Sequence, residues 1–300
     1  MKRWTIEFLL LAVVVIWGIN YTIGKYGVVE LTAIDFTAIR MLIAAPLLLF
    51  ITLGIERSIL ISREDLGRLV IVSIVGITLY QTLFMETIKY ISATNASLLI
   101  SLSPIFTTIF SLLMKQERFS IQKLLGSLTA FIGAALVLLV QDPASHQKNV
   151  VMGTMIGILA SVSWGVYPIL ANPLINKYSA LRVTAWSAMI GAVPLFLLSS
   201  SNLLSLSFHL KLTTWLSLLY SILFVTIFGL VAWYVGVQKI GATNTMVYMY
   251  VTPLAAVLFA AIWAHEHVYF QQIIGGSIIF IGLWLVKHKR IVRMSRAEHD

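Results

Sequence analysis

The sequence predicts an all-α integral membrane protein of ten transmembrane helices, built from two inverted five-helix repeats. Three observations predict it. The first is composition. Of 300 residues, 59% are hydrophobic and 11% charged, with a mean hydropathy of +0.92. An ordinary soluble domain carries roughly 25% charged residues. So little charge cannot cover a water-exposed surface, and the bilayer takes the place of water. The second is an internal repeat: Ile91 to Pro104 (ISATNASLLISLSP) recurs without a gap as Ile240 to Pro253 (IGATNTMVYMYVTP), 149 residues later. Phe110, Glu117, Gln122, Gly126 and Gly133 recur at the same offset as Phe259, Glu266, Gln271, Gly275 and Gly282. The third is the placement of positive charge along the chain.

Apolar segments long enough to span lie near 6–24, 36–54, 67–89, 94–114, 121–140, 152–171, 181–199, 212–236, 243–264 and 271–288. A spanning segment must satisfy its own backbone groups, so each reads as a helix. The first follows Met1-Lys2-Arg3 and superficially resembles a signal peptide. It lacks a small-residue cleavage site, having Trp17-Gly18-Ile19-Asn20-Tyr21 instead, and reads as the first span. Tight turns join spans 3 and 4, and spans 8 and 9, as antiparallel hairpins. Pro104 and Pro253 fall mid-span and should kink helices 4 and 9. Gly153, Gly157, Ser161 and Gly165 recur every four residues along span 6, a close-packing face for another helix.

Placing the N-terminus in the cytoplasm puts sixteen Lys and Arg residues in inner segments. Four (Lys25, Lys89, Lys148, Lys211) fall outside, and Arg40 lies within a span. That bias predicts a multi-pass protein of the cell membrane with both termini cytoplasmic. Trp17-Gly18 matches Trp164-Gly165, and Thr37-Ala38 matches Thr184-Ala185, at an offset of 147. The repeat therefore covers both halves: a unit at 1–140, a polar connection at 141–151, a second unit at 152–288 and a basic cytoplasmic tail at 289–300. Five spans per unit is odd, so the second unit enters the membrane upside down. Inverted repeats around a midplane site are a recurrent transporter design.

Several chemistries find no support. There is no cysteine, so thiol and disulfide chemistry are excluded. No Gly-rich phosphate loop is present and no metal-ligand spacing occurs at membrane depth; His265 and His267 flank Glu266 in a surface loop, a weak signal. No cofactor or metal is expected. The net charge of +9 reads as membrane topology rather than as nucleic-acid binding. An intramembrane lipid-modifying enzyme, or a lipid carrier, is the alternative class. The enzyme would need a nucleophile or titratable cluster at depth. The expected partners are a small-molecule substrate and the bilayer; the sequence does not specify an oligomeric state, and a monomer is compatible with it.

Candidates for binding are the polar and aromatic residues within spans. Trp17, Asn20 and Tyr21 share span 1; Tyr80, Gln81 and Phe84 share span 3; Trp164 and Tyr167 share span 6. Trp233 lies in span 8, Trp186 in span 7 and Tyr248 in span 9. At mid-depth such rings line cavities, because a buried hydroxyl or indole N–H needs a partner. By depth, Tyr80, Gln81, Trp186 and Tyr248 fit a cavity best. Arg40 and Glu86 are the ionisable pair near the outer ends of spans 2 and 3. They either snorkel or form a gate salt bridge, or else contact a charged substrate or coupling proton. Asn95 and Asn244 are expected to cap helices 4 and 9. Glu117 and Glu266 are expected to cap the helices that follow them.

Trp17-Gly18-Ile19-Asn20-Tyr21, Phe36 to Arg40, the Ala-Thr-Asn-Ala-Ser run to Pro104, Glu117, and Gly126 to Gly133 together resemble the EamA family of the drug/metabolite transporter superfamily, over essentially the whole chain. The resemblance implies a ten-helix inverted-repeat bundle with a central cavity. It implies a carrier, often an exporter, of amino acids, other small metabolites or drugs in a bacterial inner membrane. The second unit departs from the pattern: the position equivalent to Arg40 is Ser187, so any Arg-based recognition is one-sided.

Overall fold

The structure is a computed structural model that describes residues 3–116, 120–138, 149–205, 209–263 and 269–287. Every regular element among the described residues is helical. In the first half these are α1 (Arg3–Gly27), α2 (Ala33–Glu56), α3 (Arg63–Tyr90), α4 (Ala93–Ile100, resuming as Ser103–Leu113) and α5 (Ile121–Leu138). In the second they are α6 (Val150–Lys177), α7 (Ala180–Ser205), α8 (Leu212–Ile240), α9 (Ala242–Trp263) and α10 (Phe270–Lys287). Eight of the described helices are long and apolar enough to cross a membrane; α5 and α10 carry shorter apolar stretches, Leu124–Gly133 and Ile273–Gly282. The outer faces of the bundle are apolar, with Phe50, Ile55, Leu197 and Leu204 exposed, as lipid-facing surfaces require.

Local chemistry sets several boundaries. Thr32 caps α2 by accepting from the Asp35 N–H at 3.1 Å. Ser92, not Asn95, caps α4: its hydroxyl accepts from the Asn95 N–H at 3.1 Å, three residues in, where a cap acts. Asn244 is no cap for α9 either. Its amide donates to the Ile240 carbonyl at 2.7 Å and closes the preceding helix, across Gly241 at φ +86°. Glu117 and Glu266 lie outside the described residues. The expected kinks fall just before the prolines: α4 breaks at Ser101 and Leu102 before Pro104, and α9 tightens to a 3₁₀ turn over Val247–Val251 before Pro253. Proline has no N–H to donate to the carbonyl four residues back, and its ring crowds that carbonyl.

Two further irregularities sit at matching places. α3 widens to a π turn over Ile74–Leu79 and α8 does so over Ser221–Leu230. A π turn leaves carbonyls off the regular ladder. In α8 the Val225 carbonyl accepts instead from the Trp17 indole N–H at 3.2 Å.

The two halves grip each other through corresponding contacts. The principal pairs are α5 with α10, α2 with α7, α3 with α6, α1 with α8, α4 with α6 and α1 with α9. Exchanging each helix for its counterpart in the other half returns the same set. Single positions obey the same exchange. A Cβ on Gly18 would lie 2.8 Å from the Thr252 carbonyl and 3.0 Å from the Ala256 nitrogen. One on Gly165 would lie 2.7 Å from the Ser103 carbonyl and 3.2 Å from the Thr107 nitrogen, the equivalent atoms. Gly133 meets Gly275 and Ile279 in the way that Gly282 meets Gly126 and Ala130. Only a missing side chain lets these backbones approach so closely. The small-residue face of α6 packs as expected, with Gly153 on Tyr90 and Ile91, Gly157 on Leu99, and the Ser161 hydroxyl donating to the Leu99 carbonyl.

Candidate functional site

A cavity lies where the halves meet, lined by Trp17, Asn20 and Tyr21 of α1, Tyr80, Gln81 and Phe84 of α3, Trp164 of α6, Val225 and Leu230 of α8 and Met249 of α9. Its free space is about 20 Å³, room for about one water. Rings fill the remainder. Tyr80 stacks on Trp164 with centroids 4.5 Å apart, Trp17 meets Trp164 edge-on at 5.2 Å, and Trp233 backs both at 4.9 and 5.9 Å. Tyr21 and Phe84 close one flank at 5.0 Å. Gly76 and Gly229 make room for this packing, since a Cβ on either would strike the Tyr167 ring or the Trp17 indole.

The cavity thus brings together seven of the sequence candidates: Trp17, Asn20, Tyr21, Tyr80, Gln81, Phe84 and Trp164. Trp233 stands directly behind. Tyr167 is one ring further back, 5.6 Å from Trp164 and 5.3 Å from Tyr234. Depth misled for two others. Trp186 donates its indole N–H to the Ile59 carbonyl at 2.7 Å and ties α7 to the loop after α2. Tyr248 is buried in the 3₁₀ turn of α9, and its neighbour Met249 takes the lining position instead. Depth is readable from sequence, but which way a residue faces shifts wherever a helix changes pitch. Val225, Leu230 and Met249 escaped notice because apolar residues carry no signal in an apolar chain.

Arg40 and Glu86 do not pair, nor does Arg40 snorkel. Its side chain is fully buried, and its Nη2 donates to Gln81 Oε1 at 2.8 Å, with the Phe36 ring 5.9 Å away. The Nε and Nη1 groups have no protein partner among the described residues. Glu86 is half-buried, on α3 but not in the cavity lining.

Polar latches close the bundle at both ends. At the end holding the α2–α3 loop, Arg182 pairs with Glu56 at 3.0 Å and Ser179 donates to the same carboxylate at 2.6 Å. There Lys177 also pairs with Asp65 at 2.6 Å, and the Tyr178 hydroxyl joins it. At the opposite end Asp35 accepts from Ser199, from Asn202 at 3.2 Å and from Thr32 at 2.7 Å. Glu30 accepts there from the Thr214 hydroxyl and from the Lys211 N–H at 3.0 Å. These two donors, the hydroxyl foremost, hold the Glu30 carboxyl below its ordinary value. Glu30, Thr32 and Asp35 occupy the positions equivalent to Lys177, Ser179 and Arg182, and Thr214 that of Asp65. One latch is made of ion pairs and its counterpart of carboxylates held by neutral donors.

Comparison with known proteins places this arrangement. The profile of the EamA-like transporter family matches residues 4–139 and again 151–287. An uncharacterized transporter of Archaeoglobus fulgidus is 28% identical over 97% of this chain and 100% of its own length. The uncharacterized transporter YyaM of Bacillus subtilis is 27% identical, covering 94% of this chain and 93% of its own. A probable terminal-alkyne amino-acid exporter of Streptantibioticus cattleyicolor is 25% identical over 96% of this chain and 95% of its own. One crystal structure superposes with a TM-score of 0.76 over the whole of both chains at 16% identity, a likeness of fold alone.

Proposed function

The chain belongs to the EamA-like transporter family, and on that premise we propose that it is a secondary carrier of small metabolites, working by alternating access. Its helices make it a multi-pass membrane protein. We read it as ten spans in two inverted units, 1–140 and 152–288, in the cell membrane with both termini cytoplasmic. Amino acids or related amphipathic compounds are the proposed cargo and export the proposed direction, in keeping with the amino-acid exporter among its relatives.

The observation that carries the reading is the nearly filled aromatic cavity between corresponding faces of the two halves, with a polar latch at each end. An inverted pair of units presents one site to two compartments by breaking one latch at a time. With both latches closed and about 20 Å³ free, the conformation here is an occluded one. Tryptophan packing supports the same reading. The Trp17 and Trp164 rings, equivalent in the repeats, meet each other in the centre of the bundle. The Trp17 tie to the π turn of α8 then couples cavity and gate.

The test is flux. The purified chain, reconstituted in liposomes, is assayed with radiolabelled amino acids with and without a pH gradient. Saturable uptake cancelled by unlabelled competitor supports a carrier. Formation of a lipid product without solute flux overturns it in favour of an intramembrane enzyme.

A further inference from the structure

No residue lining the cavity is acidic, and the lining together with the residues directly behind it, Arg40 and Trp233, is rich in donors. Arg has five N–H donors and no acceptor, and indole N–H is a donor only. Arg40 Nε and Nη1, Trp164 Nε1 and Trp233 Nε1 are all buried without a protein partner among the described residues. Gln81 adds to them. Its oxygen must face Arg40, which can only donate, so its amino group turns away from Arg40. Asn20 Oδ1 is likewise occupied, by the Ser221 hydroxyl at 3.1 Å. No carboxylate of the described residues forms an ion pair with Arg40; Asp35, on the same helix, is engaged by Ser199 and Asn202 at the end of the bundle. Burying a cation without a counter-ion is strongly unfavourable. It persists where a ligand repays that cost.

We infer that the carried solute bears an anionic group, most simply a carboxylate, which is recognised by Arg40 together with the Gln81 amide, while its apolar part packs among Trp17, Tyr80, Trp164 and Met249. This rests on the carrier reading and narrows it. Polarity divides between the halves. The first supplies Arg40, Tyr80, Gln81 and Asn20; the equivalent positions in the second are Ser187, Gly229, Leu230 and Tyr167. A solute with one charged and one apolar end fits that division, and it reaches Arg40 once α3 moves and the cavity widens. An amine head group without a carboxylate meets no acceptor charge there and is repelled by Arg40.

The experiment uses the full chain in lipid nanodiscs and its own tryptophan fluorescence, since Trp17 and Trp164 line the cavity. The probes are 3-phenylpropanoate, 3-phenylpropanamide and 3-phenylpropylamine, one apolar body with an anionic, neutral or cationic head, and chloride as an anion without the body. Expected is a saturable change with the carboxylate, at least tenfold weaker binding of the amide and amine, and no comparable response to chloride. Arg40→Gln should weaken carboxylate binding at least tenfold. Because that variant risks misfolding, Gln81→Glu serves as the second. It supplies an internal counter-ion, so it should raise the thermal unfolding midpoint while abolishing carboxylate binding. Equal binding of amine and carboxylate overturns the inference, as does carboxylate binding untouched in Gln81→Glu, a response to chloride alone, or no response to any probe. Liposome flux separates the two readings: saturable flux of a cationic or neutral solute, unaffected by Gln81→Glu, leaves the carrier standing and removes the anion requirement.

Discussion

Breaking the ion-pair latch should expose the cavity from that end alone. The perturbation is Glu56→Gln. Glu56 receives the Arg182 guanidinium through Nε at 3.1 Å and Nη2 at 3.0 Å, and the Ser179 hydroxyl at 2.6 Å, with 17% of each charged side chain exposed. An exposed pair contributes about 1 kcal/mol or less, and charge-assisted contacts are roughly twice as strong as neutral ones. For this largely buried, doubly contacted pair about 1–2 kcal/mol is lost. That is roughly a 5- to 30-fold shift toward the state open at this end. The chain has no cysteine, so a single Met249→Cys reporter in the cavity lining can be labelled without background. A membrane-impermeant maleimide is applied to vesicles of each orientation. Glu56→Gln should raise the labelling rate by roughly that factor from the side of the α2–α3 loop, and high salt should mimic it because it screens the pair. Equal acceleration from both sides, or none, would refute the assignment of this cluster as a one-sided gate.

The opposite latch should answer to acid rather than salt. The Glu30 carboxyl is held below its usual value by Thr214 and Lys211, so its contribution is complete above the ordinary carboxylate range and is lost as pH falls through its lowered one. Corrected at each pH for the thiolate fraction of the reporter, labelling from the Glu30 side should be flat near neutrality, rise in acid, and lose part of that rise in Glu30→Gln. The crossings of α1 with α9 and of α6 with α4 should tolerate no side chain. Gly18→Ala sets a methyl against the backbone of Thr252 and Ala256, and Gly165→Ala sets one against Ser103 and Thr107. Each should cost about 1–3 kcal/mol and lower the thermal unfolding midpoint in detergent by similar amounts. Gly54→Ala, with nothing within 4 Å, should not lower it. The Trp186 anchor should matter to the loop and not to the cavity: Trp186→Phe loses the bond to Ile59 and should raise protease cleavage in 57–62 without changing solute affinity.

What could be read from the chain alone divides along physical lines. Composition and span length report solvent, so membrane residence and helicity followed directly, and the internal repeat was visible because Asn, Pro and Gly keep register at a fixed offset. Trp17, Tyr80, Gln81 and Trp164 could be picked out because polar and aromatic groups at depth need partners. Facing direction was not readable. It depends on helix pitch, and the π turns at Ile74–Leu79 and Ser221–Leu230 have no composition signature. Trp186 and Tyr248 were placed by depth and face elsewhere, while Val225 and Leu230 face inward from within the π turn. Shared depth points to Glu86 as the partner of Arg40, but the Arg40 bond goes to Gln81, five residues before Glu86 on α3.

The duplication explains both the symmetry of the scaffold and the asymmetry of its chemistry. Backbone approach constrains Gly18 with Gly165 and Gly133 with Gly282 alike, because each pair serves the same crossing in both halves. Latch and cavity positions escape that constraint. The two members of a latch pair sit at opposite ends of the bundle, so Lys177 can stand where its counterpart is Glu30, and Ser187 where its counterpart is Arg40. A carrier with identical gates would hold its two open states at equal energy. Here one end closes by attraction between opposite charges, while the hydrogen bonds to the carboxylates at the other come from neutral donors. On the proposed alternating-access reading, ionic strength acts on one side and acidity on the other, and the balance between inward and outward states is then set by the solution on each face.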